Sequence, residues 1–454
     1  MSGGEAHVEN SIWMRAVLMG GIFVAIGLLA FATMGVGVAN MKHHDYEEAV
    51  HEYEDAKYAY ENAKANNASE AEIASLKAAK DEAHHHEVEA HLSYLTWRTA
   101  GITILLMCMT YASFIGLGGF LNSIFPDDHG HDNHGYGGDD HEHHGSGSPI
   151  IFSLGIMLFL MGFPSFQETL GHMLSGVDAD LGGLGLSMVG LLIVTAGVAN
   201  WWREDLPFIG NHEQIATSDP FEGQHIRKAG LWVFIMSEVM VFATFFSSYL
   251  RMRTEWCTQW QVNAGNENCA AVDTLTASDF LRPNGGMLDG LGGQGDFMTL
   301  LPGAINTFAL IISSYTIVLA LKTAKTKDWQ APEGMLGKLL PTKKAAVRNY
   351  LIATFLLGSM FIVLKLVEWS HLVAEGFTIG ASGTTGQAAS IFYIATGAHG
   401  LHVFIGLLVM LYLIFKADTV GFDEKNGQGI EYFGLYWHFV DLAWVVIFPA
   451  FYLY

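Results

Sequence analysis

The sequence predicts an all-α protein, a polytopic transmembrane helix bundle of about nine spans. Two observations support this prediction. Only 15% of the 454 residues are charged, whereas soluble globular chains carry about 25%. Charge is also almost missing from whole stretches of roughly 20 residues, the length that crosses a bilayer. These spans, numbered one to nine, lie at about 12–40, 98–125, 149–166, 180–201, 228–250, 299–321, 349–372, 387–415 and 432–454.

Spans one and three are the least regular of the nine. Span one could instead be a secretory signal peptide, with Gly37 to Ala39 before the cleavage point. Its apolar stretch is long, however, and the preceding region is acidic apart from Arg15, so we expect an uncleaved anchor. Span three is short, because Gln167 and Glu168 interrupt the apolar run and predict an end at about 166.

Lysines and arginines in the short loops predict the orientation. The loop between spans six and seven carries seven of them, whereas the loop at about 373–386 carries none. The first loop should therefore be cytoplasmic and the second outside, with Arg251 and Arg253 as exceptions at the outer end of span five. Nine crossings then place the N-terminus in the cytoplasm and the C-terminus outside. The expected location is the cell membrane of a bacterium or archaeon.

The net charge and the cysteines limit the partners and the redox chemistry. A formal net charge of -22 argues against nucleic acid as a partner, because nucleic acids attract basic surfaces. Cys257 and Cys269 share a loop that should face outside, where they either form a disulfide or remain two thiols. Cys108 lies in an apolar segment and is expected to be an inert core residue.

A polar segment at 41–97, between spans one and two, holds 13 acidic residues against five lysines. Tyr46, Tyr53 and Tyr60 recur every seven residues, and an alanine follows each by three positions, which is a heptad-like seam. Ser69 and Glu72 fit a capping box that starts a second helix. We therefore predict an extramembrane helical hairpin that prolongs both spans and either docks a partner or is a solvated stalk.

The linker at 127–148 combines six histidines with Asp, Gly and Ser. It is too polar and too rich in glycine to bury a core, so a flexible tether is expected. Buffering of metal ions by the histidines is the alternative.

Ionisable side chains within a span cost about 2.5–3.5 kcal/mol each on insertion scales, and therefore mark candidate functional sites. Glu238 lies near the middle of span five. Its neighbours on the same helix, Phe234, Ile235, Val241 and Phe242, are apolar and offer no base. The carboxyl is therefore predicted to bind water, exchange a proton or hydrogen-bond a neighbouring helix.

Spans seven to nine carry a further polar set: Lys365, Glu368, His399, His402, His438 and Asp441. Lys365 and Glu368 are three residues apart and are predicted to pair. His402 and Asp441 fall about midway along spans eight and nine, so a His–Asp hydrogen bond is expected if these spans are adjacent. The histidines and Asp441 then form either a structural polar network or a metal site.

Six segments between residues 201 and 444 carry longer motifs: Trp201–Asp205, Glu222–His225, Gly230–Met240, Leu301–Thr307 with Ser313 and Ser314, Ala395–Val403, and Tyr436–Asp441 with Trp444. Taken in this order, they resemble subunit III of haem–copper respiratory oxidases, the cytochrome c oxidases and related quinol oxidases. The resemblance covers about 148–454, which is seven of the nine spans. Residues 1–147 have no counterpart in the short family form.

The resemblance implies three parts. Residues 1–126 would be an N-terminal extension of two transmembrane helices joined by the polar hairpin. Residues 127–148 would be the His-rich linker, and residues 149–454 a subunit III-like domain of seven helices.

The resemblance also implies a function. The chain would be a non-redox accessory subunit of a proton-translocating terminal oxidase that stabilises the catalytic subunit, binds lipids and supports proton uptake. Glu238 would be the family's carbodiimide-reactive carboxylate, and the histidines and Asp441 would be helix-packing partners with no metal. Phospholipid would be the bound cofactor, with Arg227 and Lys228 as candidate contacts.

The implied partners are oxidase subunits I and II, which would hold the haem and copper, and other respiratory-complex subunits at the hairpin. Lys365 stands where many members have glutamine, and Lys228 where many have arginine. The rival interpretation is a membrane transporter or metal carrier that uses the His-rich linker and the intramembrane histidines.

Overall fold

The computed structural model describes residues 3–66, 68–124, 147–174, 180–204, 216–217, 219–253, 297–374, 376–380, 384–423 and 427–453. Within these ranges, nine helices are long and apolar enough to cross a membrane. The predicted all-α, polytopic class is therefore confirmed.

The helices follow the predicted spans in order. They are α1 Gly3–Ala30, α2 Ala39–Ala65, α3 Glu70–Ile124, α4 Ser148–Leu174, α5 Gly185–Glu204, α6 Ile226–Arg253, α7 Phe297–Lys325, α8 Lys343–Ala374, α9 Thr384–Thr419 and α10 Gln428–Phe448. A π-helical segment, Phe31–Val38, joins α1 to α2, and a π-helical turn, Pro449–Leu453, follows α10. A 3-10 turn, Leu181–Leu184, precedes α5, and a short helix, Met335–Leu339, precedes α8.

Helix α4 is longer than its sequence predicted. It continues past Gln167 and Glu168, whose side chains are exposed, and ends at Leu174. Beyond them Thr169 is buried, and its hydroxyl donates to the carbonyl oxygen of Asp180 at 3.2 Å. The predicted end at 166 was wrong, because two polar side chains on an exposed face do not stop a helix.

The described residues belong to two compact units, Met1–Gly210 and Asn211–Tyr454. Helices α1 to α5 form the first unit, and α6 to α10 form the second. Helices α4 and α5 thus pack in the same unit as the N-terminal extension. The boundaries at 126 and 148 rest on sequence resemblance and stay predictions.

The predicted hairpin is formed by α2 and the first half of α3. Glu72 donates its backbone N–H to the Ser69 hydroxyl at 3.3 Å, which caps the start of α3 as expected. The three seam tyrosines each meet a basic side chain of α3: Tyr46 stacks on His91, Tyr53 packs on His84, and Lys80 lies over Tyr60. Ala49 is fully buried beneath this seam.

Helices α4 and α5 pack through glycines that let their backbones approach closely. A Cβ on Gly155 would lie 2.5 Å from the backbone nitrogen of Val194, and one on Gly197 would lie 2.9 Å from that of Phe152. At one end of the pair the Asn200 side chain donates to the Ser148 hydroxyl at 2.8 Å. Any larger residue at these glycines would push the helices apart.

Two buried tryptophans of α10 form the centre of the second unit. Trp437 donates its indole N–H to the Ser313 hydroxyl at 2.8 Å, and Trp444 donates to the Thr307 hydroxyl at 3.0 Å. Both acceptors belong to α7, so the indoles are satisfied while their rings stay buried. Gly358 of α8 faces the Trp437 ring, where an added Cβ would lie 2.9 Å away. The same core fixes the helices that carry the polar residues.

Candidate functional site

Glu238 of α6 is bound by a residue of α9. Its carboxyl oxygen lies 3.0 Å from Nε2 of His402, and their side chains are only 18% and 15% exposed. No base lies beside Glu238 on its own helix, but His402 of the neighbouring helix α9 supplies one. Of the three roles predicted for this carboxyl, the structure contains the hydrogen bond to a neighbouring helix.

The second nitrogen of His402 determines how many protons the pair holds. Nδ1 lies 2.7 Å from the carbonyl oxygen of Ala398, which can only accept, so Nδ1 carries a hydrogen. One further proton must then lie between Nε2 and the Glu238 oxygen, because two bare lone pairs would repel. This proton is on the carboxyl when both groups are neutral and on the imidazole when both are charged. The pair can therefore hold one proton in either of two positions.

Aromatic side chains enclose this pair. Phe242 meets the His402 ring edge-on at 5.4 Å and also packs on Phe439. The Tyr436 hydroxyl donates to the backbone carbonyl of His402 at 2.8 Å. These contacts fix the position of α9 beside α6 and keep one side of the pair dry, which strengthens the polar contact.

The remaining intramembrane histidines bind other groups. His399 is fully buried between Phe361 and Trp444, and its Nε2 lies 3.0 Å from the carbonyl oxygen of Val440. The His438 ring lies 3.2 Å from the hydroxyl of Ser314. Each ring is thus used in a separate contact between helices.

The expected His402–Asp441 hydrogen bond was wrong. His402 pairs with Glu238, and Asp441 accepts from the Ser314 hydroxyl at 2.9 Å. Equal depth along two helices does not fix which faces meet, and α10 turns Asp441 toward α7. Ser314, which was noted only as part of a motif, is the residue that joins His438 to Asp441.

The predicted Lys365–Glu368 pair is present. The ammonium lies 2.8 Å from the carboxylate, and both side chains are buried at 3% and 6% exposure. Tyr452, which the sequence did not single out, accepts from Lys365 and donates to Glu368. No sequence pattern distinguishes a tyrosine that bridges a buried ion pair from any other tyrosine near the end of an apolar span.

Near the N-terminal end of α6, Lys228 forms an ion pair. Its ammonium lies 2.9 Å from Glu431, which Lys325 also contacts. The backbone N–H of Arg227 donates to the His225 ring at 3.1 Å. Lipid contacts at Arg227 and Lys228 stay predictions.

Two predicted features lie outside the described residues. They are the cysteine pair, Cys257 and Cys269, and the histidines of the linker. Cys108 is a buried free thiol in α3. Within the described part of the chain, no group of three or more His, Cys, Asp or Glu side chains is placed to hold a metal ion.

These features define a class: a polytopic helical membrane protein whose ionisable residues join its helices. Comparison with known proteins gives the family. Residues 335–454 match the family model described as cytochrome c oxidase subunit III. The C-terminal part of the chain is therefore similar to subunit III of cytochrome c oxidases.

Curated relatives extend the likeness beyond that range. A probable quinol oxidase subunit 3 of Staphylococcus epidermidis is 29% identical over 234 residues, which cover 51% of this chain and 90% of the relative. The corresponding protein of Staphylococcus saprophyticus is 28% identical over 229 residues, covering 50% and 89%. The matched length of 234 residues is shorter than the predicted subunit III-like part, 149–454, which has 306 residues (454 − 148).

Proposed function

We propose that this chain is the non-redox accessory subunit III of a proton-translocating terminal oxidase. The observation that carries the proposal is the match of residues 335–454 to cytochrome c oxidase subunit III. In this role the chain stabilises the catalytic subunit, binds phospholipid and supports proton uptake, while haem and copper reside in partner subunits I and II.

Glu238 and His402 are the residues we assign to the proton-related role. Their contact joins α6 and α9 within two apolar spans, and we assign one exchangeable proton to it. A carboxyl in that position can buffer a proton near the catalytic subunit without taking part in electron transfer. Phospholipid headgroups would bind at the end of α6 that carries Arg227 and Lys228.

A transporter or metal carrier is disfavoured. That alternative required the intramembrane histidines to share a path, yet His399, His402 and His438 bind a backbone carbonyl, a carboxyl and a serine, respectively. The His-rich linker alone would not move a metal across a membrane.

Purification in a mild detergent tests the proposed function. We expect this chain to co-purify with haem-bearing chains, to show haem absorption in the visible spectrum, and to support O2 consumption. Assays with cytochrome c and with a quinol then identify the electron donor, whose site lies on other subunits. Purification of this chain alone, active and carrying a divalent metal, would contradict the proposal.

We also propose that the hairpin lies outside and contacts other subunits of the respiratory complex. Its 13 acidic residues against five lysines favour a partner with a basic surface. The test uses single cysteines at Ala68, in the turn between α2 and α3, and at Asp328, in the lysine-rich loop. We expect a membrane-impermeant maleimide to label the first in intact cells and the second only after lysis. The reverse pattern would contradict the orientation.

A further inference from the structure

Helix α6, which positions Glu238, has polar contacts with its neighbours at three levels. Lys228 pairs with Glu431 at one end, Glu238 meets His402 in the middle, and the Tyr249 hydroxyl donates to a backbone carbonyl near the other end. The steps are 10 residues (238 − 228) and 11 residues (249 − 238), each about three helical turns. These anchors keep one side of α6 against the other helices of the second unit.

The third level is formed by the π-helical turn Pro449–Leu453. Tyr249 donates to the carbonyl oxygen of Ala450, and its ring packs against Phe451 at a centroid distance of 4.4 Å. Tyr249 and Phe451 are only 3% and 6% exposed. The turn is thus bound to the outer end of α6 by a hydrogen bond and a buried ring contact.

The next residue of the same turn is bound to α8. Tyr452 accepts a hydrogen bond from Lys365, donates one to Glu368, and is itself buried. The Lys365 ammonium lies 4.8 Å from the centres of the Phe392 and Tyr452 rings and 5.2 Å from that of Trp444. A cation enclosed by three rings and a carboxylate is a rigid anchor, because its charge is compensated on several sides.

We propose that the turn Pro449–Leu453 is a clasp that couples the buried Lys365–Glu368 pair to the helix bearing Glu238. Tyr452 fastens the turn to α8, and Ala450 and Phe451 hold Tyr249 of α6. Tyr249, Tyr452, Lys365 and Glu368 are therefore positioning residues for the Glu238–His402 contact. This inference rests on the proposed role of Glu238.

The exposed side of α6 makes such a clasp necessary. Val239 and Met240, next to Glu238, are 43% and 66% exposed, so the other helices of the second unit hold α6 from one side only. Releasing its outer end would let the helix half that follows Glu238 open locally, and the contact with His402 would open with it. The clasp keeps the carboxyl against the imidazole.

The test uses Tyr249→Phe, Tyr452→Phe and the double variant in the complete purified complex. Phenylalanine keeps each ring and removes only the hydroxyl. We expect each single variant to raise amide exchange in the outer half of α6, and carbodiimide labelling of Glu238, by about threefold to tenfold, the effect of one lost buried hydrogen bond. Because the two bonds are links in series, the double variant should be no faster than either single one. Tyr58→Phe, at an exposed hairpin tyrosine, is the matched control.

Different results would contradict the clasp and the proposed role of Glu238. Unchanged α6 exchange in Tyr452→Phe, or effects that add in the double variant, would overturn the clasp. If a tyrosine variant is not recovered as a complex, Lys365→Gln tests the same linkage from the α8 side, with the same expected increase. Failure of the wild-type complex to label at Glu238 would instead count against the proposed role of that residue.

Discussion

Replacing Lys365 by methionine should destabilise the second unit strongly, by about 3–5 kcal/mol, because the change leaves a buried carboxylate without its cation. Glu368 is 6% exposed, and its second oxygen has no partner among the described residues. The loss should appear as a lower midpoint of denaturant-induced unfolding of the purified protein in detergent.

Two further variants separate charge from packing in this experiment. Lys365→Met with Glu368→Leu removes both charges, so the double variant should recover much of the stability lost by the single one. The matched control is Arg348→Met on the same helix, whose partner Asp418 lies at 2.7 Å and whose pair is 37% exposed on both sides. That change should cost about 0–1 kcal/mol. A Lys365→Met protein as stable as the control would contradict the assignment.

Replacing Glu238 by glutamine should leave the haem content of the complex unchanged and shorten its lifetime during turnover. Glutamine can still donate to Nε2 of His402, so the contact between α6 and α9 persists. It has no acidic proton, however, so the proposed proton-holding role would be lost. We expect inactivation to be about fivefold to tenfold faster, the scale of the difference between a charge-assisted and a neutral hydrogen bond. The measurement is O2 consumption followed to completion, with haem quantified by absorption.

Variants of His402 test whether Glu238 and His402 act as a single proton site. His402→Gln should give a similar lifetime, and the double variant should add little, because both changes disable the same proton site. Glu222→Gln, at an exposed loop carboxyl, should behave as the wild type. Loss of all haem in Glu238→Gln would show a folding role in place of a modulating one.

The apolar spans and the short-range pairs could be predicted from the sequence. Lack of charge over about 20 residues is a property of the chain itself, and Lys365 and Glu368 are neighbours on one helix. The hairpin was equally predictable, because the seven-residue repeat of its tyrosines determines which side faces the second helix.

The contacts between distant helices were less predictable. Depth along a span placed His402 level with Asp441, but the rotation of each helix about its axis decides the partner, and it brings His402 to Glu238. That rotation depends on packing around Trp437 and Trp444, which involves α7 and α8 as well. The role of Tyr452 depends on the π-helical turn after α10, which no sequence pattern predicted.

Carbodiimide labelling of the complete purified complex, read by mass spectrometry of this chain, tests whether Glu238 is a proton-holding carboxyl that the protein shelters against His402. We expect an adduct at Glu238 in the wild type and a changed labelling rate at the same position in His402→Gln. No adduct at Glu238, or a labelling rate that is the same in His402→Gln as in the wild type, would contradict this assignment.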